Sequence, residues 1–324
     1  MQAIVQEKYG SAEVLELKEI ERPTIGDHDV LVRVRAAGVN PADWALMNGF
    51  PYIARPAPLY GLLKPRNPVR GTDVAGQVEA IGSAVTRFQP GDEVFGSSTG
   101  SYAEFAAAAE DTLALKPANL TFEQAATVPM AATVALQAVR DHGKVGPGHR
   151  VLINGASGGI GTFAVQIAKA LGAEVTAVAS TRNMDLLRSL GADHVVDYTK
   201  VDFTESGERY DFILDNVSNR SLSELRHTLT PTGMLIPNGG NFGNRWFSSA
   251  GRLVRAAVLF RFGGQRLGRF LVSINHADLV VLKELIEAGK VKPVLDRTYP
   301  LSDAARAMDH VGQGHAQGKV AITV

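Results

Sequence analysis

Residues 152–183 read LINGASGGIGTFAVQIAKALGAEVTAVASTRN. An apolar run ends at a glycine turn, a helix-like stretch follows, and a second Val-rich run ends in Ser-Thr-Arg. A strand, a glycine-rich turn and a helix inside a βαβ unit form the setting in which such a motif binds a dinucleotide. Gly155 suits the tight turn. Gly158 and Gly159 let backbone approach a pyrophosphate, and Gly161 lets the helix pack on the strand. The helix N-terminus offers free N–H groups and a partial positive charge to the anion.

Outward from this turn the pattern repeats. Strands are predicted at 150–155, 174–180, 194–198, 210–217 and 233–240, with helices at 159–171, 182–190 and 220–229. Alternation at this spacing predicts a doubly wound parallel sheet. A further strand from about 267, a helix at 277–288 and a last strand at 319–324 complete the tail. Upstream, 122–143 is helical, with Pro129 dividing it in two. Residues 1–120 are β-rich: DVLVRVRAAGV (29–39) and DVAGQVEAIG (73–82) are short, Val-rich and glycine-bounded. Residues 48–68, NGFPYIARPAPLYGLLKPRNP, form a Pro-rich loop of the length that is often functional.

The ribose of such a cofactor is read at the end of the second strand, where an acid would bond the 2′-hydroxyl. Here that strand ends in Ser180-Thr181-Arg182 without an acid. Ser180 and Arg182 suit a 2′-phosphate, which favours NADPH; the other reading is a helix cap and a solvated arginine. The motif GASGGIG also suits short-chain dehydrogenases, which need Tyr-x-x-x-Lys on a helix after the glycines. The one such spacing, Tyr60 to Lys64, precedes them and lies in the Pro-rich loop.

Composition sets outer bounds. The chain has 324 residues, zero formal net charge, 45% hydrophobic and 20% charged residues, and no cysteine. Two domains are expected at this length, and balanced charge gives no expectation of nucleic-acid binding. Disulfides, thiolate nucleophiles and cysteine-ligated zinc are excluded. The first residues resemble no targeting peptide and no apolar run is long enough to span a membrane, so the cytoplasm is the expected location.

The motifs AAGVNPADW (36–44), RGTDVAGQVEAIG (70–82), FQPGDEVFG (88–96) and GHAQGKVAITV (314–324), with the glycine turn at mid-chain, resemble the medium-chain dehydrogenase/reductase superfamily. The likeness is to its zinc-independent, ζ-crystallin-like quinone oxidoreductase branch and covers essentially the whole chain. It implies an α/β fold in two domains: a GroES-like β-rich catalytic domain (1–122 and 267–324) and a Rossmann NADP-binding domain (123–266). It also implies a homodimer.

Zinc-dependent members of the superfamily carry Cys where Asn40 stands and His-Glu where Thr72-Asp73 stand, so no metal is expected. His310 and His315 read as a solvated helix end rather than a ligand pair. The resemblance places Asn40 beside substrate and nicotinamide, and Thr133 near the nicotinamide. It assigns Ser157, Gly158, Gly159 and Ile160 to the pyrophosphate turn, and Ser180, Arg182 and Tyr198 to the 2′-phosphate pocket. It implies that Asn216, Gly239 and Gly240 line the cofactor crevice, and that Phe270 and Val272 belong to the segment whose backbone meets the carboxamide. Lys319 is either near the cofactor or a surface lysine. Tyr52 is a candidate proton donor; solvent, or a water held by Asn40, is the alternative.

The expected function is NADPH-dependent reduction of quinones or of the C=C bond of α,β-unsaturated carbonyls, that is, of a small electron-poor acceptor. The rival is an NADPH-binding regulator or scaffold with little turnover. One stretch stands apart: 226–277 has no acid, and 245–270 holds six arginines among apolar residues. It reads as a lid or subunit-facing segment, or as a basic helix on an anionic membrane.

Overall fold

The computed structural model describes residues 1–57, 60–239, 250–261, 263–268, 271–314 and 316–324, with the Leu253 side chain left out. The chain forms two compact units. One comprises Met1–Thr133, Ser273–Gly289 and Pro293–Val324; the other comprises Val134–Val272 and Lys290–Lys292.

The second unit holds the parallel sheet. Among the described residues its strands lie in the order His194–Asp197, Glu174–Ala179, Arg150–Asn154, Tyr210–Asp215, Leu229–Pro237, Arg266–Leu267. Every pairing is parallel. This is the third-second-first-fourth-fifth-sixth order of a Rossmann sheet, whose ligand crevice lies beyond the strand ends where the order reverses. The reversal falls between Arg150–Asn154 and Tyr210–Asp215. The apolar runs are explained by burial: Leu152, Ile153, Val178, Ile213 and Leu235 are all fully enclosed. The strand expected at 233–240 begins earlier, at Leu229, because the short helix Leu222–His227 ends at Thr228 and the chain extends at once.

The first unit is built on the strand Asp29–Val39. It pairs antiparallel with Asp73–Ile81, Phe105–Ala109 and the C-terminal strand Lys319–Thr323. Its first half alternates, burying Val30, Val32 and Val34. Its second half, Ala36–Val39, is buried on both faces. Gly38 is required there: a Cβ would lie 2.3 Å from the Ala126 carbonyl oxygen and 3.0 Å from the Asp73 Cβ. Pro129 divides the helical stretch as expected, with Phe122–Ala126 before it and Pro129–Leu136 starting on it.

Two elements of this unit escape the sequence reading. The strand Leu295–Pro300 pairs with Lys319–Thr323 and has no clean alternation. The helix Ala304–Gly312 buries Ala304, Ala307, Met308 and Val311, a helical spacing that was legible. His310 in that helix is not simply solvated, because its Nε2 lies 2.7 Å from Asp296 Oδ2. His315 lies outside the described residues. No described helix is long and apolar enough to cross a membrane.

Candidate cofactor and active-site residues

The glycine turn is made of backbone. Gly155 has φ +74°, a left-handed conformation that costs a side-chain-bearing residue free energy. Gly161 could not carry a Cβ, which would sit 2.3 Å from the Gly155 oxygen. Gly158 differs, since a Cβ there would meet only the Gly155 oxygen, at 3.5 Å. Gly158 caps the helix Gly159–Ala170 with no side-chain bond, so the first-turn N–H groups, including that of Ile160, have no capping acceptor. An open cradle above uncapped N–H groups fits a pyrophosphate.

At the adenosine end, Ser180 precedes the short turn Thr181–Asn183. Asn183, which the sequence reading does not single out, donates Nδ2 to Ser157 Oγ at 2.8 Å and to Ser180 Oγ at 3.3 Å. It ties the glycine turn to the strand end. Arg182 and Tyr198 are both exposed. The strand end carries no acid of its own, but the neighbouring strand brings one. Asp197 accepts from Thr181 Oγ1 and Thr199 Oγ1, and these hydroxyls hold its carboxyl at about 2. A permanent negative charge therefore touches the middle residue of Ser180-Thr181-Arg182.

Beyond Tyr210–Asp215 the chain ends converge again. Gly239 packs so closely on Asn216 that a Cβ would lie 2.7 Å from its carbonyl carbon. Ser218 Oγ donates to the Gly239 oxygen at 3.0 Å. Asn216 Oδ1 accepts from Asn238, while its Nδ2 is buried with no partner among the described residues. Such an orphaned donor at a strand's C-terminal end is satisfied when a ligand occupies the crevice. Asp215 is fully buried and accepts from Asn154 Nδ2 at 2.8 Å and from Arg252 Nη2 at 3.1 Å. Arg252 belongs to the basic segment, where 250–259 is helical with Val254 and Val258 exposed. Val272 is half-buried. Gly240 and Phe270 lie outside the described residues, as do 245–249 of the basic segment.

In the first unit a buried polar network surrounds Asn40. Lys319, placed by sequence either near the cofactor or at the surface, is 3% exposed. Its Nζ donates to Asn40 Oδ1, and to the Val39 oxygen at 3.1 Å. Asn40 Nδ2 donates to Asp73 Oδ2 at 3.0 Å. That oxygen also accepts from the Met130 N–H, at 3.3 Å, at the start of Pro129–Leu136. Asp43 Oδ2 accepts from the Asn40 backbone N–H at 2.9 Å and from Tyr102 Oη at 3.2 Å.

Burial dominates the titration of this cluster. It pushes Asp73 up to about 7 and Asp43 upward, and Lys319 downward, while the opposite charges of Lys319 and the two carboxylates resist all three shifts. Asp73 Oδ1 and Thr133 Oγ1 are buried without partners among the described residues. Thr133 sits one turn beyond Met130 on the same helix. The Tyr52 ring packs edge-on with Phe50, centroids 5.3 Å apart, and the Arg55 guanidinium lies 4.6 Å over it. Tyr60, of the rejected Tyr-x-x-x-Lys spacing, donates to the Phe50 oxygen at 2.6 Å.

The donor set does not fit zinc. Asn40 presents its oxygen to an ammonium and Asp73 Oδ2 is engaged by two N–H groups. Thr72 is a poor ligand beside imidazole, and the chain has no cysteine. Among the described residues no group of three or more His, Cys, Asp or Glu could hold a metal.

Residues 26–119 match the family described as alcohol dehydrogenase GroES-like domain, and residues 190–322 match the one described as zinc-binding dehydrogenase. The chloroplastic quinone oxidoreductase QR1 of Triphysaria versicolor is 32% identical, over 99% of this chain and 98% of that protein. The NADPH-dependent alkenal/one oxidoreductase, chloroplastic, of Arabidopsis thaliana is 34% identical, over 99% of this chain and 79% of its own length. Among solved structures, the quinone oxidoreductase from Coxiella burnetii superposes with a TM-score of 0.87 at 29% identity, covering 100% of this chain and 99% of that one. A Rossmann strand order, a glycine cradle, a GroES-like unit and a site without zinc ligands converge with these likenesses: the chain belongs to the medium-chain dehydrogenase/reductase superfamily, in its zinc-independent quinone oxidoreductase branch.

Proposed function

We propose that this chain reduces quinones, or the C=C bond of α,β-unsaturated carbonyls, with NADPH and without a metal. The observation that carries the reading is the Asn40 amide, turned by an ammonium on one side and a carboxylate on the other, at the position where the superfamily's zinc enzymes have a ligand. Relatives acting, by their names, on quinones and alkenals support the acceptor class.

The bound nicotinamide would supply a hydride to the electron-poor carbon. Ser157, Gly158, Gly159 and Ile160 would hold the pyrophosphate, Ser180 and Arg182 the 2′-phosphate, and Asn216 and Gly239 the crevice beyond. Asn40 would donate to the acceptor's carbonyl oxygen as charge develops there, which is worth most in a buried site. A quinone or enone delocalises that charge itself, so it needs no Lewis acid. Tyr52 remains a candidate for delivering the final proton, with solvent as the alternative route.

The test is turnover of NADPH and NADH against a panel of quinones, enones and simple aldehydes, with and without chelator. We expect quinone or enone reduction that survives chelation, with deuteride from 4-deuterated NADPH on the β-carbon of a reduced enone. Stoichiometric zinc with chelator-sensitive aldehyde reduction would overturn the mechanism. Tight NADPH binding with no turnover on any acceptor would favour a regulator or scaffold.

A further inference from the structure

Asp215 ends the strand Tyr210–Asp215, beside the reversal of strand order, and its carboxyl is fully buried. Oδ1 accepts from Asn154 Nδ2 at 2.8 Å and from the Ser218 N–H at 3.0 Å. Oδ2 accepts from Arg252 Nη2 at 3.1 Å. Asn154 is the residue before the glycine turn, and the chain after Asp215 lies against that turn. A Cβ on Gly155 would come within 2.5 Å of Val217 Cγ2 and 3.4 Å of the Asn216 Cβ. One buried carboxyl therefore ties the guanidinium of the helix Ala250–Leu259 to the glycine turn and to the segment that carries Asn216.

The helix itself gains nothing from this arginine. Arg252 lies in its first turn, where the backbone is already partly positive and an acid would be favoured, and that turn holds no acid. The pair also leaves donors unmet. Arg252 Nε is buried without a partner among the described residues, and so is Asn216 Nδ2. Unmet buried donors are costly, and two of them at one strand end mark a place for a ligand rich in oxygen. The place is not sealed: Arg252 keeps 21% of its side-chain surface exposed, and Asn216 is half-buried.

We propose that Arg252 is a further cofactor-binding residue: Asp215 holds its guanidinium at the crevice, and the Nε–H donates to an oxygen of the dinucleotide's diphosphate–ribose portion. This rests on the cofactor reading given above. Asp215 offsets the arginine's charge, so the contact is a directed hydrogen bond and not a general attraction for anions. Arg182 differs in being exposed and in having no acid fixed on its guanidinium by the strand it follows. The acid-free basic segment is thereby fastened to the sheet at the point where the order of strands reverses.

Binding, without turnover, tests the assignment. Three ligands are titrated calorimetrically into the full chain: NADP⁺, 2′-phospho-ADP-ribose, which lacks the nicotinamide, and 2′-AMP, which lacks the diphosphate and the second ribose. Arg252→Gln should weaken NADP⁺ and 2′-phospho-ADP-ribose alike, by roughly 10- to 100-fold, as when a hydrogen bond from a charged group is lost. The affinity for 2′-AMP should change by less than about threefold. NADP⁺ held as tightly as by the wild type overturns the proposal. So does equal weakening of all three ligands, which would make Arg252 a brace for the whole crevice. Weakening of NADP⁺ alone would move the contact to the nicotinamide and overturn it too.

Arg252→Gln also takes the partner from a buried carboxylate, so a second comparison separates binding from bracing. In an Asp215→Asn background no buried charge is left to neutralise. Removing the arginine there should still weaken NADP⁺ by at least about fivefold. A loss that vanishes in that background shows that Arg252 serves Asp215 alone, and overturns the proposal. Should Arg252→Gln not fold by itself, the charge-balanced double variant is compared with Asp215→Asn on the same three ligands. Should Asp215→Asn not fold, the three-ligand comparison on Arg252→Gln decides. A wild-type chain that binds none of the three overturns the cofactor reading and this assignment with it, whereas wild-type binding that Arg252→Gln leaves intact overturns the assignment alone.

Discussion

Between Gly155 and Gly161 the groups offered to a ligand are backbone N–H groups, and the side chains are mostly missing. Around Asn40 they are side chains drawn from residues 40, 43, 73, 102 and 319, all buried and nearly all engaged with one another. The first region leaves donors uncapped in an open cradle, as the proposed anion site requires. The second surrounds one amide with charged groups. The difference predicts different failures: the turn is broken by adding atoms, the network by changing protonation or charge.

The largest effect should follow from Gly161→Ala. Its Cβ would lie 2.3 Å from the Gly155 oxygen and 2.6 Å from the Ala156 Cα. Both are backbone atoms in the turn itself, so the cradle must deform. Overpacking of this kind costs about 1–3 kcal/mol, and the deformation should weaken NADPH binding by at least about tenfold. Gly158→Ala, whose Cβ would make only an ordinary contact with the Gly155 oxygen at 3.5 Å, should cost far less stability. Calorimetric titration and melting curves of the two variants check this; equal losses would show that the cradle is not set by the packing at Gly161.

The same contrast explains what could be read from sequence. The glycine turn and the strand–helix alternation of the parallel sheet were legible because a βαβ unit writes its requirements locally, as glycines at fixed spacing after an apolar run. The network was not. Asn40 was marked only by resemblance, Asp73 only as a ligand that is missing, and Lys319 read equally well as a surface residue. Their contact depends on the antiparallel pairing of Asp29–Val39 with both Asp73–Ile81 and Lys319–Thr323, which brings residues 33 and 279 positions apart into hydrogen-bond range. Asp197 was hidden for a similar reason. The rule looks for an acid at the end of the second strand, and this one arrives from the third.

A middle-sized effect belongs to the network's charge. Asp73 titrates near 3.8 when unfolded and at about 7 when folded, because burial disfavours its carboxylate more than Lys319, Asn40 and the Met130 N–H favour it. In that window the folded state holds the extra proton, so stability falls as pH rises from about 4 to about 7 and is level beyond. Asp43, also raised, acts with the same sign; Lys319, lowered by burial, acts with the opposite sign. Relative to wild type, Asp73→Asn should therefore gain on the order of a few kcal/mol between pH 4 and pH 7. Denaturant melts across that range measure it. A constant difference between the two proteins would mean that Asp73 is ionised throughout.

The adenosine end, a backbone turn beside one fixed carboxylate, carries one effect comparable to that of Gly161→Ala and, at Asp197, the smallest. Arg182 is exposed, and a charge-assisted contact to a 2′-phosphate is worth about 1.5–3 kcal/mol. Arg182→Ala should weaken NADPH roughly 10- to 100-fold and leave NADH nearly unchanged. Asp197 should act in the opposite direction and more weakly. Held ionised by Thr181 and Thr199 down to about pH 2, it places a negative charge against the residue between Ser180 and Arg182. That charge repels a phosphate, with Lys200 Nζ 3.6 Å away offsetting part of it. Interactions of such screened charges are weak, so Asp197→Asn should improve NADPH over NADH by no more than about fivefold. Affinities of both cofactors for both variants, measured at low and at moderate salt, separate the contributions. If Asp197→Asn weakens NADPH instead, the carboxylate's main service is to order Thr181, and cofactor choice rests on Ser180 and Arg182 alone.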